Sequence, residues 1–405
     1  MPAADKKILL LCPRFPYPES GACEQDRADG IRQLVRLGYT VNVVGKVFPW
    51  QDTRVINTTW SALGVEINNV PYRAKSKRFS LSLFLEKFFY ILRNFRYADG
   101  AAYEYADPAF KRLVAQKLRD FKPDIVWADY TYLWPLNTLI KASGAKLVVR
   151  SINFEPKHFL EEEGRSLLAY IKFLPKLAGE IKSAREADVL LSMNPQEQSK
   201  YIKCGAPRVV NLPLRSLGRD WPMHMPRERE VLNVFFFGST YTVSHNARAL
   251  RFILQELVPA MERQAPGKFF FHIFGGKFPD EFKPLLKPGV VVHGFVDELE
   301  TLLADQDIAL APSFFGAGMQ QKVFEPLVRG FPTITSPRGL AGYPFVPGTE
   351  VLLARNLSEY IAALLQLQDL RLRRNLGYNA RAKSTALFSG ALSDTIVKQE
   401  LARLC

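Results

Sequence analysis

Cysteine is scarce in this chain, and what there is does not cluster. Cys12, Cys23, Cys204 and Cys405 stand far apart, with no C-x-x-C pair and no histidine beside them. That argues against a zinc site and against a disulfide framework, and leaves reduced, structural thiols. The five histidines are equally dispersed, so no metal ligands are assigned. No apolar run approaches the roughly 20 residues that span a bilayer. The opening run Ile8-Leu9-Leu10-Leu11 is cut at Pro13-Arg14, too short for a signal-peptide core, so the expectation is a cytoplasmic chain. The glycine-rich G-x-G-x-x-G of dinucleotide-binding domains does not follow the first strand. No nucleic-acid-binding module is recognisable either, and no nucleic-acid partner is expected.

What the chain does have is length, apolar content and positive charge. Its 405 residues exceed one ordinary hydrophobic core and suggest two domains of roughly 200 residues. At 47% hydrophobic, 23% charged and 12% aromatic residues, it can bury a sizeable core. With 54 basic against 40 acidic residues the formal net charge is +14, which favours an anionic partner: nucleotide phosphates, nucleic acid or an acidic membrane face.

Hydrophobic periodicity sets the fold class. Lys7–Cys12 reads as a buried strand, Gln25–Leu37 as an amphipathic helix ended by Gly38, and Thr40–Gly45 as a second strand. Strand text recurs at Asp124–Trp127, Lys146–Val149 and Ala187–Ser192. From Arg215 to Arg229 the chain is polar and broken by Gly218, Pro222 and Pro226, as a linker would be. A second series then begins: strands at Leu232–Phe237, Lys268–Phe274, Val290–His293, Ile308–Ala311 and Pro332–Thr335, with helical text such as Ala247–Arg263 and Lys322–Arg329. The expected class is α/β, two Rossmann-like parallel-sheet domains facing across a cleft: 1–215 and 216–387.

In such sheets ligands bind at loops beyond the carboxyl ends of strands, where backbone N–H groups and helix N-termini favour phosphate. Three loops qualify. In Pro13–Ala22, Gly21 lacks a β-carbon and can admit a phosphate or sugar close to the backbone; a plain turn explains it equally well. Gly238-Ser239-Thr240 leaves the first strand of the second half and leads to a helix near Asn246, a place for a ligand against the sheet edge. Pro312–Glu325 is the most informative, because a strand there enters a loop with Gly316 and Gly318 and then a helix able to cradle a diphosphate. Lys322 adds a point charge, and Glu325 can accept hydrogen bonds from a ribose diol; an exposed Lys–Glu helix pair is the plain alternative.

At this third loop the sequence resembles a known family. The run from Gly316 to Pro332, with Lys322, Glu325 and Gly330, is similar to the donor-binding stretch of the group 1 (family 4) glycosyltransferases of the GT-B fold. Gly238 with Asn246, the His293-Gly294-Phe295-Val296-Asp297 turn, and Glu186-Ala187-Asp188 through Ser192 and Glu197 recur in that family's order. The resemblance implies that Glu325 binds the ribose, that the amides of Gly318 and Met319 hold the diphosphate, and that Gly294 to Val296 contact the base through their backbone. It implies a retaining transfer, without metal or other cofactor, from a UDP- or GDP-linked sugar to a saccharide or lipid-linked saccharide, as in cell-envelope polysaccharide synthesis. The donor's own phosphate would help deprotonate the acceptor, which accounts for the lack of paired catalytic carboxylates. It also implies that a final helix, about 388–405, crosses back to the first domain.

Two positions depart from the family. Ala317 stands where relatives often carry a glutamate, which keeps open a second reading: a catalytically degenerate GT-B-like protein that only binds nucleotide-sugars. A histidine common beyond the strand Ile125-Val126-Trp127 is missing, and Asp129 lies near that place, either touching sugar or acceptor or capping a helix. Arg150–Glu155 lines the acceptor side or forms an ordinary strand–helix turn. Finally, residues 73–96 hold seven cations, Arg73, Lys75, Lys77, Arg78, Lys87, Arg93 and Arg96, against Glu86, interleaved with aromatic and aliphatic residues. Such a basic amphipathic helix either lies on an anionic membrane at the inner face or packs its aromatic side on the domain core.

Overall fold

The computed structural model describes residues 6–19, 21–72, 81–164, 166–296, 299–315 and 319–404. Gly316, Ala317 and Gly318, Asp297 and Cys405, with 73–80 of the basic segment, lie outside the described residues. The chain divides into two compact units, one of Met1–Ser216 with Gly390–Cys405 and one of Leu217–Ser389.

The first unit is built on β1 (Lys7–Cys12), β2 (Thr40–Val47), β3 (Glu66–Pro71), β4 (Ile125–Ala128), β5 (Lys146–Arg150), β6 (Val189–Ser192) and β7 (Val209–Asn211). They form one sheet in the order β3-β2-β1-β4-β5-β6-β7, and every pairing is parallel. The central strands are apolar throughout because helices cover both faces, giving two buried clusters, one around Ile8, Leu10 and Trp127, the other around Leu9, Leu11 and Phe110. The closing helix Gly390–Leu404 belongs to this unit: Gln33 donates to Ser393 at 2.9 Å and Arg208 pairs with Glu400.

The second unit holds β8 (Leu232–Thr240), β9 (Phe269–Gly276), β10 (Val290–Gly294), β11 (Ile308–Ala311), β12 (Thr333–Thr335) and β13 (Leu352–Leu353), ordered β10-β9-β8-β11-β12-β13 and again parallel. Both units are therefore Rossmann-like. In each sheet the order reverses beside one strand, between β1 and β4 in the first and between β8 and β11 in the second, and these reversals create the crevices where ligands bind.

The basic segment continues as the helix Leu81–Arg93, followed by a short 3-10 turn, Phe95–Ala98. Tyr90 packs edge-on against Tyr97 and Tyr103, but Leu85, Phe88, Phe89, Leu92 and Phe95 face outward, with Leu92 66% exposed. The 3-10 turn leans on a second helix, Leu167–Glu186, through Arg96, which donates to the carbonyl of Ala178 at 3.3 Å. The first turns of that helix expose another apolar set, Leu167 (80%), Leu168, Ile171 and Leu174.

Candidate nucleotide-sugar site

The crevice between β8 and β11 is bridged by one side chain. Lys322 sits in the first turn of the helix Gln321–Val328, which follows β11, and its Nζ donates to Oδ1 of Asn246 at 2.9 Å. Asn246 sits in the helix Ser244–Phe252, which follows β8, and is itself oriented by donating to the carbonyl of Thr240 at 3.1 Å. One ammonium thus stands across the reversal of strand order, held by both loops. Burial pushes the Lys322 amine down to about 8, with Arg338 adding to the effect. A dianionic ligand would reverse that shift.

The local sequence explains why this helix is short and sharply ended. Pro326 breaks its backbone ladder. Gly330, at φ +83, follows the C-cap Arg329, and its N–H reaches the carbonyl of Leu327 while that of Phe331 reaches Pro326, closing the helix end. At the opposite end the Gln320 carbonyl accepts from the Val323 N–H at 3.0 Å but its side chain supplies no cap, which leaves the N–H groups of Gln321 and Lys322 without a partner among the described residues. Met319, immediately before, is buried at the mouth of this turn.

Glu325, one turn after Lys322, does not point freely. Arg329 holds its Oε1 through Nε at 3.2 Å and through a terminal nitrogen at 3.0 Å. The same guanidinium grips Glu300 at 2.7 and 2.8 Å and lies over the Trp221 ring at 4.6 Å. Burial raises the Glu325 carboxyl above its ordinary range, while Arg329 pulls it back. The carboxylate is fixed through one oxygen, and its other oxygen keeps the capacity to accept a diol. Arg329 was not singled out in the sequence, although its place four residues after Glu325 is the spacing of a helical ion pair.

Gly294 takes φ +71, a left-handed turn with open space above it, and Phe295 is 72% exposed. Beneath the turn His293 stacks on Phe274 at 4.4 Å, and its Nε2 lies 2.9 Å from Nδ1 of His272. Val296 packs on the apolar cluster of Phe235, Phe274 and Phe331. The turn is thereby anchored on one side and open on the other.

Two glycines have different settings from those expected. Gly238-Ser239-Thr240 is not a loop after the strand but the end of β8 itself, with an irregular register between Phe237 and Thr240. At Gly238 a Cβ would stand 2.4 Å from the Tyr241 ring, and one on Gly275 would stand 1.6 Å from the Gly238 carbonyl oxygen. Packing within the unit, against Tyr241 and between Gly238 and Gly275, by itself requires the smallness there. Gly21 caps the helix Ala22–Arg36 in an extended conformation, and the space a Cβ would take is met by the Glu24 carboxylate at 2.5 Å.

Asp129, at the β1/β4 crevice of the first unit, lies in a buried charge cluster. It pairs with Arg27 at 3.0 Å; Arg215 pairs with Asp26 at 2.9 Å, and Arg150 also reaches Asp26. Two carboxylates face three guanidiniums, and all five residues are at most 6% exposed. Burial raises Asp129 against the pull of Arg27, whereas for Asp26 the pull of Arg150 and Arg215 overcomes burial and holds it well below the carboxylate range. The residue at the start of the following 3-10 helix is Tyr130, so Asp129 does not serve as its cap. The Arg150–Glu155 turn is pinned from inside the same unit: Glu197 accepts from the Phe154 N–H at 3.1 Å, and Glu155 accepts from the Tyr130 and Tyr132 hydroxyls.

Residues 232–369 match the family model described as glycosyl transferases group 1. The matched span lies within the second unit and contains Lys322, Glu325, Asn246 and the Gly294 turn. A UDP-N-acetylglucosamine–N-acetylmuramyl-(pentapeptide) pyrophosphoryl-undecaprenol N-acetylglucosamine transferase of Desulforudis audaxviator (strain MP104C) is 35% identical over 133 residues, which cover 30% of this chain and 33% of the relative. The chain thus spans about a third of the length of the curated relative it matches. Among solved structures, TarM aligns at a TM-score of 0.69 with 11% identity over 98% of both chains. Sucrose-phosphate synthase from Thermosynechococcus elongatus gives 0.68 with 16% identity over 98% of this chain and 99% of the other. Anabaena HepE in complex with UDP gives 0.65 with 15% identity, covering 98% and 100%. At such identities the likeness is one of fold: two parallel-sheet Rossmann-like domains, the GT-B architecture.

Proposed function

We propose that the protein is a retaining glycosyltransferase of family 4 that moves a sugar from a nucleoside-diphosphate donor to a saccharide or lipid-linked saccharide acceptor. The observation that carries this reading is the Lys322–Asn246 bridge across the β8/β11 reversal, next to an uncapped helix end and a Glu325 carboxylate with one oxygen left to accept. In this assignment Lys322, the Met319 amide and the helix N–H groups stabilise the diphosphate, so that charge developing on the leaving group meets preorganised donors. Glu325, oriented by Arg329, accepts from the ribose, and the Gly294–Val296 turn meets the base. Gly316 and Gly318 are assigned to the same diphosphate loop from the sequence. UDP is favoured as the nucleotide, since the names of HepE's ligand and of the Desulforudis transferase both carry it.

The acceptor is assigned to the first unit. A lipid-linked acceptor is favoured by the outward apolar residues of the helix Leu81–Arg93 together with Leu167, Leu168, Ile171 and Leu174 of the second helix, an arrangement suited to peripheral contact with the inner face of a membrane. No helix among the described residues is long and apolar enough to cross one. The test is transfer itself: UDP- and GDP-sugars incubated with lipid-linked oligosaccharide, the product's anomeric proton read by NMR. An α-linked product from an α-linked donor supports retention; an inverted product, or none from any donor, counts against the reading.

A further inference from the structure

Beyond the carboxyl ends of β1 and β2 the first unit has an open cavity of about 430 Å³, lined by Arg14, Phe48, Pro49 and Trp50. Trp50 is 57% exposed, an unusual position for an indole in a chain whose Trp60, Trp127 and Trp134 are all buried. The loop that displays it is held by hydrogen bonds and a ring stack. Gln51 is buried, accepts from the Phe48 N–H at 2.9 Å and donates to the carbonyls of Phe15 and Tyr17, while Phe48 stacks on Tyr72 at 4.1 Å. The indole is therefore presented at little conformational cost to a binding partner.

Beside it stands a cation. The Arg14 guanidinium lies over the Trp50 ring at 4.9 Å and the Phe48 ring at 5.4 Å, and one terminal nitrogen pairs with Glu24 at 3.2 Å. Its Nε is buried and has no hydrogen-bond partner among the described residues. An exposed indole next to a guanidinium that is only partly neutralised by Glu24 matches a sugar ring with an anionic substituent: the apolar face of the ring covers the side of the indole away from Arg14, and the carboxylate or phosphate meets the arginine at its terminal nitrogens, the Nε being buried. The cavity is at the small end of ligand sites, enough for one or two sugar rings.

We propose that this cavity binds a sugar unit bearing a carboxylate or phosphate, and that the unit belongs to the acceptor. The second half of the statement rests on the glycosyl-transfer reading; the first does not.

The test uses the full chain and three probes: methyl β-D-glucuronide, glucose 6-phosphate and neutral methyl β-D-glucoside. Acrylamide quenching reads the exposed Trp50, calorimetry reads affinity, and a UDP thermal shift is run alongside. An anionic probe should shield the indole and bind at least about tenfold more tightly than the glucoside, a difference of about 1.4 kcal/mol. Whether the glucuronide or the phosphate is tighter tells which group the site takes. Arg14→Gln should erase the preference, and Trp50→Leu should lower affinity for all three, with the UDP shift unchanged in both. Equal binding of neutral and anionic probes, or wild-type affinities in both variants, would overturn the proposal. Binding of anionic sugars without any UDP shift would leave the cavity standing and remove the glycosyl-transfer reading instead.

Discussion

Replacing Lys322 by glutamine isolates the charge that bridges the β8/β11 crevice. Glutamine keeps an N–H donor on a side chain one bond shorter, so the substitution removes the ammonium while leaving Asn246 Oδ1 facing a neutral polar group instead of an apolar one. A hydrogen bond from a charged donor contributes about 1.5–3 kcal/mol, against about 1 for a neutral one. If the ammonium meets the diphosphate, its loss should weaken UDP binding by about 10- to 100-fold. Stability should move little, since a buried ammonium already costs desolvation; for a domain of this size a change of 1 kcal/mol shifts Tm by about 2–4 °C. Calorimetric titration with UDP reads the first quantity and thermal unfolding the second. UDP affinity within about threefold of wild type, with Tm unchanged, would refute the placement of the diphosphate at this lysine.

Other expectations follow from the same geometry. Because the free Lys322 amine sits at about 8 and a bound diphosphate raises it, binding takes up a proton. UDP affinity should therefore be flat below pH 8 and fall by up to about tenfold per pH unit above it; a flat profile to pH 10 would contradict this. Glu325→Ala should weaken UDP binding by about tenfold while leaving the fold intact, whereas Arg329→Ala should weaken it through misplacement of Glu325 and also lower Tm, because Glu300 loses its partner; equal affinities in both variants and wild type would remove the ribose contact. Asp26→Asn leaves three buried guanidiniums facing Asp129 alone, which lies 4.0 Å from Arg215, and should cost about 3–5 kcal/mol in urea unfolding; a loss below about 1 kcal/mol would show the cluster is hydrated. Phe89→Glu with Ile171→Glu should abolish sedimentation with anionic vesicles without changing UDP affinity; undiminished sedimentation would place the membrane contact elsewhere.

The strands were legible where they are apolar on both faces. Lys7–Cys12 and Ile308–Ala311 begin and end where the hydrophobic runs do, because central parallel strands are covered on both sides. The strands β3, β7 and β13 gave no signal: Glu66–Pro71, at the sheet edge, is half polar without regular alternation, and the other two are only three and two residues long. The end of β8 was read as a loop because Gly238 and Ser239 look like a turn, whereas the glycine is required by Tyr241 and Gly275 packing against it. In the helix begun at Ser244 the register changes through one wide turn at Ile253–Leu257, which an even 3.6-residue pattern does not reveal. Of the groups gathered at the second crevice, Lys322 and Glu325 share one helix and could be seen together, but the partner Asn246 lies 76 residues away. The buried cluster in the first unit joins Asp26 to Arg215 across 189 residues, a juxtaposition that no local pattern encodes.

Whether the second unit binds a nucleoside-diphosphate sugar is read most directly by thermal unfolding of the full chain in the presence of UDP, GDP and their common sugar conjugates. A ligand held at 100 times its dissociation constant stabilises by about 2.7 kcal/mol, a shift of several degrees. A clear shift with uridine ligands, reduced in Lys322→Gln, is the predicted result; no shift with any nucleotide would contradict the account.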